Sequence, residues 1–169
     1  MKRILALLFA SLLLLPLVAL AEDTDIAKVK ACKYCGMDRQ MFAHSRIWIE
    51  YVDGSPEGLC SLHCAAVEFA VALDRRPTTI WVGDFETKQL IDADKAVWVM
   101  GGEKPGVMTR RPKWAFAEQA GADRFIKASG GAVITFDQAI KSAYEDMYDD
   151  TKMIRDRREA KRKAASEKK

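Results

Sequence analysis

Arg46-Ile47-Trp48-Ile49-Glu50-Tyr51-Val52-Asp53 is a β-branched and aromatic run that ends in the turn sequence Asp53-Gly54-Ser55-Pro56. Such side chains suit a pleated, half-buried surface, so Arg46–Asp53 predicts a strand. The turn sends the chain back into a short second strand that leads to Leu59-Cys60. Ser61 then stands where a helix N-cap belongs, and Cys64, Val67, Glu68 and Val71 recur at helical spacing as far as Asp74. Arg76-Pro77 ends that helix, and Thr78–Val82 predicts another strand.

The second half repeats the order. Ala96–Met100 predicts a strand, 101–106 a glycine-rich loop, and Lys113–Phe116 a short strand. Ala117–Ala128 predicts a helix with Ala120 and Phe125 inward. Gly130-Gly131 stops it, and Ala132–Phe136 predicts a last strand. Both halves therefore read strand–strand–helix–strand, giving an α+β chain of two related ββαβ units. Asp137 is placed to cap a final helix from Gln138. Beyond Met153 that helix has no apolar face, so it is expected to project into solvent or fray. The expected organisation is a signal segment at 1–21, a polar linker at 22–31, a cysteine-rich first unit at 32–84, a second unit with the start of the final helix at 85–150, and a basic tail at 151–169.

The first 21 residues carry a three-part export signal. Lys2-Arg3 is the basic start, Ile4–Leu20 an apolar run broken by Ser11 and Pro16, and Ala19-Leu20-Ala21 a small-residue cleavage site. The run is near the lower length limit for a membrane anchor, but Pro16 and the small residues favour cleavage. No cysteine follows the cut, so no lipid anchor is expected, and a periplasmic or otherwise extracytoplasmic location is. Without the signal, 25 Lys and Arg face 24 Asp and Glu. That balance argues against general nucleic-acid binding, which needs a basic excess. No membrane span is expected once the signal is removed.

Four cysteines carry the chemistry. Cys32-Lys33-Tyr34-Cys35-Gly36-Met37 puts two thiols and a thioether on one tight loop, with Gly36 letting the backbone curl beneath them. Cys60-Ser61-Leu62-His63-Cys64 adds two thiols one helical turn apart on the same face. A hairpin folds this second pair back on the first. Four thiolates suit tetrahedral Zn(II); thiolate with thioether suits the softer Cu(I). Two further readings stay open: structural disulfides Cys32–Cys35 and Cys60–Cys64 in an oxidising compartment, and a thiol–disulfide exchange pair. The exchange reading lacks the strand-then-helix setting of a thioredoxin-like motif.

Other residues read more plainly. His63 should face away from the cysteines on its helix, and His44 should be a solvated loop residue. Met41 and Met100 read as packing, and Trp48, Trp81, Trp98 and Trp114 as core. Arg110-Arg111 reads as a solvated pair. Met108 stands out because it lies in the Gly- and Pro-bounded loop Pro105-Gly106-Val107-Met108-Thr109. No catalytic triad, phosphate-cradling loop or acid–base carboxylate pair is evident, so no enzyme is expected.

From about Lys30 to Ala143 the chain resembles the NosL family of exported copper chaperones for nitrous oxide reductase assembly. The resemblance runs through Cys35-Gly36-Met37, Gly58-Leu59-Cys60, Trp81-Val82-Gly83-Asp84-Phe85, Leu90-Ile91-Asp92-Ala93, Ala96–Gly102, Val107-Met108, Trp114-Ala115-Phe116 and 130–136. It implies two ββαβ units, Cu(I) capture and hand-over to a copper-site apoprotein. It also implies Cys35 and Met37 as ligands, with Met108 completing a three-coordinate site. Two departures stand out. NosL proteins are commonly lipoproteins, and here the lipidation cysteine is missing. Cys60 and Cys64 beside Cys32 and Cys35 are similar instead to the cysteine arrangement of TRASH-type metal-sensing modules.

Overall fold

The computed structural model describes residues 24–167, so the expected signal segment lies outside the described residues. The first element, α1 (Thr24–Lys28), falls inside the stretch expected to be a linker. It is held by charge. The Asp25 carboxylate accepts from Arg39 Nη2 at 2.6 Å and from Arg46 Nε at 2.9 Å, with all three side chains buried. Arg39 also donates to the carbonyls of Asp25, Val29, Leu59 and Ile47. A buried guanidinium is tolerable only when its donors are met in this way.

β1 (Ile47–Tyr51) is central to the first sheet. It pairs antiparallel with β2 (Glu57–Leu59), Ile47 opposite Leu59. The chain then forms α2 (Leu62–Val71) and returns as β3 (Pro77–Gly83), antiparallel to β1 with Trp48 opposite Trp81. One strand was not anticipated: β4 (Leu90–Asp92) adds to the free edge of β3, so the order is β2-β1-β3-β4. β5 (Val97–Met100), β6 (Lys113–Phe116), α3 (Gln119–Ser129) and β7 (Ala132–Ile134) form the second unit. Its three strands run in the order β6-β5-β7. β1 and β5 thus occupy the same place in their sheets, and two ββαβ units followed by a C-terminal helix describe the fold.

The two sheets are stitched together at Asp84. Phe85 N–H donates to the Ala115 carbonyl at 2.8 Å, and the Asp84 carboxylate accepts from Ala117 N–H at 2.9 Å. Ile47, Ile49, Leu59 and Val82 of the first sheet share one core with Trp98 and Ala115 of the second. A smaller cluster of Val99, Trp114, Phe116, Ala122 and Phe125 packs with Phe85. Within it the inward alanine of α3 is Ala122, not Ala120.

The last helix, α4 (Phe136–Ser166), is 31 residues long. Its cap is Thr135 rather than Asp137: Gln138 N–H donates to Thr135 Oγ1 at 3.2 Å, and the Gln138 side chain accepts from Thr135 N–H at 2.9 Å. This reciprocal pair satisfies two otherwise orphaned donors. α4 packs across α2 and β5, which explains why α2 buries Leu62–Ala66 and Glu68 while Val71 is 65% exposed. Phe136, Ala139, Ala143, Asp150 and Met153 are buried on α4; everything from Arg155 to Glu167 is exposed. The basic end stays helical and projects.

Candidate metal centre

The first cysteine pair sits on a loop closed by its own backbone. Cys32 N–H donates to the Met37 carbonyl at 2.9 Å, and Gly36 N–H to the Cys32 carbonyl at 2.9 Å. Gly36 adopts φ +71°, the left-handed conformation that lets both thiols turn to one side. The β1–β2 hairpin delivers Cys60, and Cys64 follows on the buried face of α2.

The four Sγ atoms lie within 4.8 Å of one another, with Cys35 to Cys60 at 3.4 Å and Cys60 to Cys64 at 3.7 Å. All four cysteines are free, so neither disulfide of the alternative reading is formed. A tetrahedron of sulfurs about 2.3 Å from a metal has edges of about 3.8 Å, so the quartet is spaced for one ion. Cys32, Cys60 and Cys64 are buried, whereas Cys35 is half-buried and forms the open edge.

Charge is unevenly shared among the thiols. Cys32 is held well below the ordinary thiol range because Cys35, Cys60 and Cys64 direct S–H bonds at it. Donating to Cys32 raises Cys35, but bonds from Cys60 and Cys64 outweigh that and bring it down to about 7. Cys60 and Cys64 are pushed far up, since each donates toward Cys32 and Cys35 and is buried besides. Metal–thiolate bonding requires deprotonated sulfur. Loading is therefore expected to release protons at pH 7 from the thiols of the quartet that are still protonated, and affinity should rise with pH. Calorimetry in buffers of different ionisation enthalpy measures the count; no net release would contradict this electrostatic picture.

A second group fixes the quartet in place. Glu68 lies one turn beyond Cys64 on α2 and is fully buried. Its carboxylate accepts from Tyr34 Oη at 2.5 Å, Tyr51 Oη at 3.0 Å and Lys33 Nζ at 3.1 Å. Lys33 and Tyr34 are the two residues between Cys32 and Cys35, so Glu68 ties the first thiol pair to the helix bearing Cys64. Arg75 Nη1 approaches the same carboxylate at 3.4 Å while its guanidinium stacks 3.7 Å from the Tyr51 ring. Burial works against the charged carboxylate, but bonds from Tyr34, Lys33 and Tyr51 keep its pKa lowered. Hydrogen bonds to charged groups contribute about 1.5–3 kcal/mol. Tyr34→Phe should accordingly weaken metal binding by roughly tenfold, the scale seen when groups orienting a ligand are lost. A competition titration on both proteins checks this.

In the sequence Glu68 stands out only as a helical position. The missed signal was a carboxylate on the buried face of a helix, which requires partners.

Met37 and Met108 are half-buried and pack against the core cluster that holds the cysteines. Met108 is a non-glycine residue at φ +63°, a backbone conformation that costs energy and tends to persist at functional sites. Its loop is pinned by Arg110 N–H, which donates to Asp150 of α4 at 2.9 Å. His63 lies outside the thiol group: it is buried, with Nδ1 3.7 Å from Asp150 Oδ2. Four expectations are corrected, the first being Trp81, which is half-buried on β3 and stands outside both core clusters instead of lying in the core. His44 is not solvated but packs against Phe85 and Trp114, with ring centroids at 6.0 and 5.9 Å. Met41 does no packing, being 74% exposed. Arg111 is bound rather than free in solvent, with Nε 3.0 Å from Asp146 Oδ2.

The sequence model of the NosL family matches residues 23–144. The chain belongs to the NosL family. The chain is also similar to the HTH-type transcriptional repressor CutR of Bacillus subtilis (strain 168), at 34% identity over 115 residues. That match takes in 68% of this chain and 59% of CutR, so the chain spans about three-fifths of that relative's length. Among solved structures, the copper chaperone NosL from Shewanella denitrificans superposes with a TM-score of 0.51 at 20% identity. It covers 64% of this chain and 88% of that one. At that identity the likeness concerns the fold: this NosL protein shares the architecture of that chaperone.

Proposed function

We propose that this protein is an exported metallochaperone that captures Cu(I) on sulfur and passes it to a copper-site apoprotein such as nitrous oxide reductase. The observation that carries the reading is the thiol quartet, four free sulfurs within 4.8 Å with a half-buried Cys35 at one edge. Family membership supports it, and the Shewanella denitrificans protein that shares the fold is itself a copper chaperone. The signal expected at 1–21 supports a periplasmic or otherwise extracytoplasmic place of action.

Copper is the cargo. Cys32, Cys60 and Cys64 form a buried floor that retains it, and Cys35 is the ligand an incoming sulfur or imidazole displaces first. Met37 and Met108 supply thioethers from the same core, and their softness selects Cu(I) over harder ions. Transfer then proceeds by exchange of one ligand at a time, with no redox step.

The same sulfur spacing suits a closed Zn(II) site, which would make the quartet a structural staple. Anaerobic titration of the reduced protein with Cu(I) against a competing chelator, with Zn(II) in parallel, separates the two. Tight Cu(I) retention that Zn(II) does not displace is expected. Preferential, non-exchanging Zn(II) would overturn the chaperone reading.

A further inference from the structure

Charge is segregated along this chain. Residues 24–151 contain 19 Asp and Glu against 16 Lys and Arg; residues 152–169 contain nine Lys and Arg against three acids. The basic end is the projecting part of α4, and it does not point away from the metal centre. Arg158 Nη2 donates to the carbonyl of Cys35 at 3.1 Å, across 123 residues of sequence. The arm is therefore tethered to the loop that carries Cys35, the half-buried member of the thiol quartet.

From Arg158, Arg155 lies three residues back, and Lys161 and Arg162 lie three and four residues on, all on the same side of the helix. The twelve residues from Arg155 to Ser166 extend about 18 Å, against a Debye length of about 10 Å at 0.1 M salt. The charges nearest Arg158 are thus felt at Cys35. Of the arm's acids, Glu159 is paired with Lys163 at 2.7 Å, while Asp156 and Glu167 partly offset the remaining cations.

We infer that the basic arm of α4 is a docking surface for an acidic protein, which it steers onto the Cys35 edge to receive the metal. A protein surface is favoured over a lipid one because no large apolar residue occurs from Arg155 to Glu167. An interfacial membrane helix needs an apolar face to bury. Charge complementarity acts on encounter rate rather than on retention, so the arm speeds hand-over without loosening the site.

This rests on the Cu(I) reading, and the test separates the two. The full-length reduced protein and its Arg155→Gln/Arg158→Gln/Arg162→Gln variant are first loaded with Cu(I). Gln matches Arg closely in helix propensity, and all three sites are exposed. Failure of the unmodified protein to load defeats the Cu(I) reading itself. With both loaded, transfer is timed to an anionic chelator, bathocuproine disulfonate, and to an uncharged relative, neocuproine. The expected result at low salt is a roughly tenfold slower transfer to the anionic acceptor in the variant, abolished at high salt, with the neutral acceptor unaffected. Equal rates for both proteins, or equal loss with both acceptors, would overturn the inference. So would sedimentation of the protein with phosphatidylglycerol vesicles that the triple substitution prevents, since the arm would then be a lipid contact.

Discussion

Cys64→Ser is expected to lower Cu(I) affinity by at least a hundredfold while leaving the protein folded. Structural Zn(II) in zinc-finger peptides binds through four ligands with about 10–16 kcal/mol in total; on that scale each ligand contributes on the order of 3 kcal/mol, or two orders of magnitude. Serine keeps nearly the shape of cysteine in a position that is 1% exposed, so little packing is lost. Cys35→Ser should lower affinity by a comparable factor, because it too removes one of the four thiolates, and should also slow hand-over, because it removes the ligand displaced first. Met37→Leu should only weaken binding, since a thioether is replaced at the margin of a site whose floor remains. A chelator competition on the three variants should show Cys35→Ser and Cys64→Ser weakened alike and Met37→Leu weakened least. Equal retention in Cys35→Ser and the unmodified protein would remove the quartet from the mechanism.

The second large effect is on stability. Asp25→Ala is expected to cost about 3–5 kcal/mol, the range for removing one partner of a buried ion pair. It takes the carboxylate from between two buried guanidiniums, those of Arg39 and Arg46. Thermal unfolding of the apo protein should register the loss as a fall in Tm of roughly 10 °C. The acid limb carries a further sign. Burial raises the Asp25 pKa, but the bonds and charges of Arg46 and Arg39 outweigh it, and the folded value lies below 3.8. Its contribution is therefore complete above the unfolded value of about 3.9 and is lost as pH falls through the folded one. Asp25→Asn should flatten that part of the stability curve. An unchanged acid limb would mean that the triad is not a stability element.

The cysteine spacing was legible because it is local, as a metal site would require: two residues between Cys32 and Cys35, three between Cys60 and Cys64, and a hairpin to join them. The repeated ββαβ order was legible too, from β-branched runs alternating with helical spacing. Leu90-Ile91-Asp92 was not read as a strand. Three residues show no period, and it is pairing to β3 that makes them β4. The α1 turn escaped for the opposite reason: Thr24–Lys28 is polar, and only the distant Arg39 and Arg46 make Asp25 a buried anchor. Asp137 looked like the cap of α4, yet Thr135 takes the role because Gln138 stands three residues after it. Long-range partners also decided Glu68 and Arg158, whose roles depend on residues 34 and 123 positions away.

X-ray absorption at the copper edge of the anaerobically loaded protein tests the central claim most directly. A single Cu(I) with a first shell made wholly of sulfur, losing one scatterer in Cys64→Ser, is the predicted result. A shell dominated by nitrogen or oxygen, or one unchanged in Cys64→Ser and Cys35→Ser alike, would contradict the assignment of the thiol quartet as the copper site.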